Sequence, residues 1–172
     1  MAFVGDVMVR VLIISPHNDD ALIGCFLYLT DRLKISGVSF SEAENYILFG
    51  SEELDPDRMR EAILFAEDFN LKIVEFTYIV LSNLDFDIVI APSPESKHYY
   101  HKYFAWKSLD VRAKCRVFYS TDMDEWWVRP IPVDLRRVKK ELLDKYFPLE
   151  KSLWDSDAKY YMFEGYVYFV GW

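Results

Sequence analysis

Cysteine, glycine, proline and positive charge are all in short supply in this sequence, and each shortage excludes a class of protein. Two cysteines, Cys25 and Cys115, stand among 172 residues without any CxxC spacing. They read as small core residues of a reduced compartment rather than as a disulfide framework. Six Gly and seven Pro are far too few for a collagen-like or low-complexity chain. The 20 Lys and Arg are outnumbered by 28 Asp and Glu, a net charge of −8 with an isoelectric point near 4.9. That balance repels a phosphate backbone and argues against nucleic acid as a partner. No stretch approaches the roughly 18 apolar residues of a membrane span. In the opening MAFVGDVMVRVLIISP, Asp6 and Arg10 interrupt the apolar run, so it lacks the hydrophobic segment of a secretory signal. The expectation is a soluble, cytoplasmic protein with no membrane span.

What the chain has in quantity is apolar surface: 52% of its residues are hydrophobic and 17% aromatic. At this length folding removes roughly 70% of the accessible surface from water, enough for one core without staples. A single domain over residues 1–172 is therefore expected. The apolar residues switch between continuous runs and helical stripes. VRVLIIS (Val9 to Ser15) reads as a central strand covered on both faces. A helical stripe follows over Asp20 to Ile35, with Gly37 as its stop. YILFG (Tyr46 to Gly50), LKIVEF (Leu71 to Phe76), LDFDIVIA (Leu84 to Ala91) and RVFYS (Arg116 to Ser120) read as further strands. Helices are expected over Asp57 to Phe69, after the Asp55-Pro56 start signal, over His98 to Asp110, and over Val133 to Tyr146. The last carries Arg136, Arg137, Lys139 and Lys140 among Glu141 and Asp144, which reads as a solvated face. The aromatic tail from Tyr160 to Trp172 reads as a late strand or hairpin. Strands alternating with helices predict an α/β fold, a Rossmann-like, mostly parallel sheet with helices on both faces.

The chain's three histidines all follow the carboxyl end of an expected buried strand. His17 comes after VLIISP, and His98 and His101 come after DIVIAPSPESK. In an open parallel sheet that end is where ligands bind. Pro16-His17-Asn18-Asp19-Asp20 taken alone suits a helix N-terminus, with Asn18 or Asp19 capping free N–H groups. His98-Tyr99-Tyr100-His101 taken alone suits a surface pair on one helix face. Brought to one rim, two imidazoles and a carboxylate form a borderline N/O donor set with room for water, as in catalytic zinc sites. Spacing leaves open whether His98 or His101 is the ligand.

These residues resemble the LmbE-like (PIG-L) zinc-dependent N-deacetylases. The likeness rests on the strand followed by PHNDD, on the Arg-x-x-Glu of Arg58 to Glu61, and on the His-x-x-His of His98 to His101. It runs in element order from about Val9 to Tyr146. Members of that family remove acetyl groups from N-acetylglucosamine units on a Rossmann-like sheet. Position by position, the resemblance implies that His17, Asp20 and His101 hold Zn2+, that Asp19 is the general base, and that His98 faces the carbonyl oxygen. It further implies a small amino-sugar substrate. The chain differs from the family's usual pattern at Asn18, Ala21 and Tyr100, where Pro, Glu and Asp are common.

The residues leave several roles open. Two imidazoles and a carboxylate also suit Fe2+, and either Asp19 or His98 can be assigned to protonate the leaving amine. Arg58 either reaches a phosphate or hydroxyl group of the substrate or pairs with Glu61. Tyr99, Tyr100, Trp126 and Trp127 can stack on a sugar, although core or interface packing is the commoner duty of such residues. The chain is short, so the loops around a sugar pocket are either trimmed or supplied by another subunit of a homo-oligomer. The function expected is metal-dependent amide hydrolysis; the alternative is a catalytically impaired metal- or sugar-binding domain of the same fold.

Overall fold

The computed structural model describes residues 3–4, 7–50, 55–75 and 85–169. Its chain starts with β1 (Phe3–Val4), which turns back antiparallel onto β2 (Val7–Ser15). Val11, Leu12, Ile13 and Ile14 of β2 are all buried, as a strand covered on both faces requires. On one side β2 pairs in parallel with β3 (Ala43–Phe49), which carries β4 (Lys72–Val74). On the other it pairs in parallel with β5 (Asp85–Pro92), which carries β6 (Arg112–Tyr119). The edge strand β9 (Tyr166–Phe169) runs antiparallel to β6, completing the order β4-β3-β2-β5-β6-β9. A separate two-stranded piece joins β7 (Arg129–Pro130) to β8 (Phe163–Glu164). The direction of winding reverses between β3 and β5, so the crevice beyond the carboxyl ends of β2 and β5 is the switch point where such sheets bind ligands.

Helices α1 (Asp20–Leu29), α2 (Pro56–Asp68), α3 (Tyr99–Lys107), α4 (Val133–Tyr146), α5 (Lys151–Ser156) and α6 (Lys159–Met162) complete the fold. Alternation along β2 splits the core in two. Val11 and Ile13 face Phe26 of α1, Phe65 of α2, Leu143 of α4 and Trp154 of α5. Leu12 and Ile14 face Tyr100, Phe104 and Ala105 of α3. The sheet is thus mostly parallel with helices on both faces, as the alternation predicts. Among the described residues no helix is long and apolar enough to cross a membrane.

Several boundaries differ from the expectation. The first helix ends at Leu29, not near Ile35, and Gly37 instead takes a positive φ of 74° in a turn closed by the Ile35–Val38 bridge. His98 caps α3 from outside, and Ser108–Asp110 is a separate 3-10 turn. The tail makes α6 before β8 and β9, while residues 170–172, Phe76 and Leu84 lie outside the described residues.

The largest correction concerns Lys139. It is not part of a solvated face but is wholly buried, 3.2 Å from the buried carboxylate of Glu164. The cause lies in α1, whose backbone leaves helical geometry at Cys25 (φ −127°, ψ 21°). In an unbroken helix the Ile23 carbonyl accepts from the Leu27 N–H. Here Lys139 Nζ donates to Ile23 O at 2.5 Å, and Leu27 N donates to Glu164 at 3.2 Å. The ion pair therefore serves both groups around the kink.

Close packing of α1 on the sheet also depends on Gly24. A Cβ there would lie 2.0 Å from Tyr119 Cδ2. The Tyr119 ring is tethered, because its hydroxyl donates to Ile14 O at 2.6 Å. Gly24→Ala is expected to destabilise the fold by about 1–3 kcal/mol through overpacking. Calorimetry should show this as a fall of several degrees in Tm, and an unchanged Tm would contradict the packing described.

Candidate metal centre and active site

The turn from β2 into α1 is shaped by short polar contacts. Ser15 Oγ donates to His17 O at 2.6 Å and accepts from Ala21 N at 3.0 Å, and His17 N donates to Asp20 Oδ2 at 2.7 Å. These bonds bring the His17 and Asp20 side chains together. From across the switch point α3 supplies His101. The Nδ1 of His17 lies 3.1 Å from the Nε2 of His101, and Asp20 Oδ2 lies 3.2 and 3.1 Å from those nitrogens. A tetrahedral ion with bonds of about 2.0–2.1 Å spaces its donors about 3.3–3.4 Å apart. The three donors already stand close to one tetrahedral face, so the group could hold a single metal ion.

His101 is oriented from behind. Its Nδ1 lies 2.8 Å from Thr121 Oγ1 and 3.4 Å from Ser96 Oγ. Ser96 Oγ in turn donates to Asp122 Oδ2 at 2.8 Å. A proton on Nδ1 given to Thr121 leaves the Nε2 lone pair facing His17 and Asp20, which is the tautomer a ligand needs. Thr121→Val should therefore weaken zinc affinity by about 10–100-fold, as read by competition with a chromophoric chelator. Unchanged affinity would remove Thr121 from this role.

Burial works against the charge on Asp20, yet His101 and His17 hold its carboxyl well below the usual carboxylate range. Burial likewise opposes a charged His101, but Asp20 beside it raises its pKa overall. Asp19 points to the opposite outcome. Burial and then the Asp20 charge push its carboxyl up to about 7. It stands at the N-cap of α1 but makes no side-chain capping bond, so capping does not account for a carboxylate that is 5% exposed. Asn18 is not a cap either: its Nδ2 donates to Glu61 Oε1 at 3.0 Å, tying the turn to α2.

His98 stacks on His101, with centroids 4.6 Å apart, and meets His17 edge-on at 5.0 Å. Its Nδ1 accepts from Tyr100 N at 3.2 Å, which leaves Nε2 to carry the proton. A backbone amide thus does the orienting that a neighbouring Asp would otherwise do. Burial, followed by the charges of His101 and His17, lowers the His98 pKa, so the ring is a neutral donor.

A cavity of about 270 Å³ joins these groups and is lined by His17, Asp19, Asp20, His98 and His101. Arg58 lines it too, but its guanidinium pairs with Glu150 and not with Glu61. Thr121, Asp122, Glu150 and Tyr160 also line it. None of these four was singled out by sequence reasoning, since each lies in a loop, a 3-10 turn or a segment read as strand. The aromatic candidates do not line the cavity: Tyr100 and Trp127 are buried in packing, and Tyr99 and Trp126 are exposed at 75% and 78%.

No protein-family model matches the sequence, and no curated protein matches it. Solved structures share its fold. GalB, the 4-carboxy-2-hydroxymuconate hydratase from Pseudomonas putida, superposes with a TM-score of 0.62 at 12% identity over 96% of this chain and 98% of its own. The conserved protein TT1542 from Thermus thermophilus does so at 0.58 and 16% identity, over 96% and 99% of the two chains. At such identities the likeness speaks to the fold.

Proposed function

We propose that this protein is a metal-dependent amide hydrolase of the LmbE-like kind, an N-deacetylase acting on an N-acetylglucosamine-type substrate. One observation carries the reading: three donors spaced for a single ion share a cavity with a buried carboxylate, Asp19, and a neutral imidazole, His98. His17, Asp20 and His101 would hold the ion, Zn2+ or Fe2+, which supplies Lewis acidity toward the acyl oxygen and makes water more acidic. Asp19 takes a proton from the attacking water as the new C–O bond forms at the acetyl carbon. His98 donates to the oxygen on which negative charge develops, a contribution typically worth about 10²–10³ in rate. Asp19 then returns its proton to the nitrogen as the C–N bond breaks, releasing acetate and amine. That last step falls to Asp19 because His98 has its Nδ1 engaged by Tyr100 N and its charged form disfavoured.

The carboxylates of a muconate-type substrate would meet Asp19, Asp122 and Glu150 here, and Arg58 is already paired. The hydratase chemistry of the similar fold is therefore the weaker reading. The test is incubation of zinc-loaded protein with acetylated amino sugars, following freed amine. Release that disappears with chelation and returns with zinc is expected. Metal and sugar binding without turnover on any acetamide would favour the binding-domain alternative.

A further inference from the structure

We propose that Glu150 sets the charge selectivity of the pocket: by occupying Arg58 it withholds the anchor for an anion, so the substrate is an acetylated amine whose other substituents are neutral or cationic. This deepens the deacetylase reading and rests on it for the acetyl group alone. Among the described residues, Arg58 is the one Lys or Arg side chain that lines the cavity, and its Nη2 is paired with Glu150 Oε1. The other carboxyl groups of the lining are Asp19 and Asp20 of the candidate metal centre and Asp122. Lys97 and Lys159, next in sequence to the lining residues His98 and Tyr160, are engaged as well: Lys97 pairs with Asp124 at 2.6 Å, and Lys159 lies 3.6 Å from the same residue. Asp19 supplies independent evidence that the walls await a ligand, since it is nine-tenths buried, lines the cavity and caps nothing.

At the end of the pocket away from the three metal donors, a phosphate or carboxylate would bring a like charge against Glu150 and Asp122 with no unpaired Lys or Arg among the described lining residues to offset it, a juxtaposition that discriminates between partners. An ammonium or hydroxyl group meets acceptors instead. Amide hydrolysis itself yields such a product, because the released amine is protonated at neutral pH. The source of selectivity is thus a residue far in sequence from His17, Asp20 and His101, in the 3-10 turn Pro148–Glu150.

The test uses the zinc-loaded full chain and two probes that differ in one charged group, glucosamine and glucosamine 6-phosphate, titrated by calorimetry. Wild type should bind glucosamine at least about tenfold more tightly. Glu150→Gln should free Arg58 and shift that ratio about tenfold or more toward the phosphate, and adding Arg58→Ala in the same chain should return it. Equal or tighter binding of the phosphate by wild type, binding of neither probe, or a ratio unmoved by Glu150→Gln would overturn the proposal. Charge discrimination without acetate release from either N-acetyl derivative would support it while striking the deacetylase reading.

Discussion

Asp19→Asn is expected to bind a divalent ion as the wild type does and to lose N-acetyl hydrolysis by about 10²–10⁴-fold, the usual contribution of a general base. The two halves of that result separate cleanly because of where Asp19 stands. It is adjacent to Asp20, one of the three donors that converge, yet is not itself among them. It occupies the N-cap position of α1 without a capping bond, and Asn is as well tolerated there as Asp. The variant should therefore fold with nearly unchanged Tm. Loss of both metal and activity would mean that Asp19 shapes the site, and full activity with metal retained would remove it as the base.

Lys139→Met should be strongly destabilising, costing about 3–5 kcal/mol because it strands a buried carboxylate. For a chain of this size that is a fall in Tm on the order of 10 °C. Burial raises the Glu164 pKa even with Lys139 present, and lowers that of Lys139. Without the lysine, Glu164 has its folded pKa raised further above its unfolded value. Its protonated form fits the fold, so the stability deficit should be small at acid pH and grow as pH rises through that folded pKa. Melting curves at about pH 5 and pH 8 should show the larger deficit at the higher pH. Lys139→Met with Glu164→Gln should lose the pH dependence but stay below wild type, since Ile23 O keeps no partner, at about 1–3 kcal/mol. A deficit within about 0.5 kcal/mol, as for an ordinary surface lysine, would contradict the arrangement around the Cys25 kink.

The parts of the fold that could be read in advance were those with one dominant signal. The unbroken apolar run at Val11 to Ile14 could only be a strand buried on both faces, and Val133–Tyr146 matched its expected helix end for end. His17 and His101 could be placed at one rim because both follow strands that turn out to be neighbours, β2 and β5. What could not be read depends on contacts distant in sequence. Lys139 sits in a charged helical run, and only the kink at Cys25, 114 residues earlier by position, with Glu164 opposite, explains its burial. Glu61 and Arg58 share a helix at a spacing that suits an ion pair, but each is taken by a partner elsewhere, Asn18 and Glu150. Tyr100, standing where Asp is common in the resembled family, left the orientation of His98 unexplained until the Tyr100 backbone amide itself proved to be its partner.

The most direct measurement is zinc stoichiometry and affinity for the wild type beside His17→Ala, Asp20→Ala, His101→Ala and His98→Ala. The wild type should bind about one ion per chain, as a single three-donor site implies. The first three variants should each lose it, and His98→Ala should keep it. No ion bound by wild type, or binding that survives loss of His101 but not of His98, would contradict the convergence of His17, Asp20 and His101 on one cation.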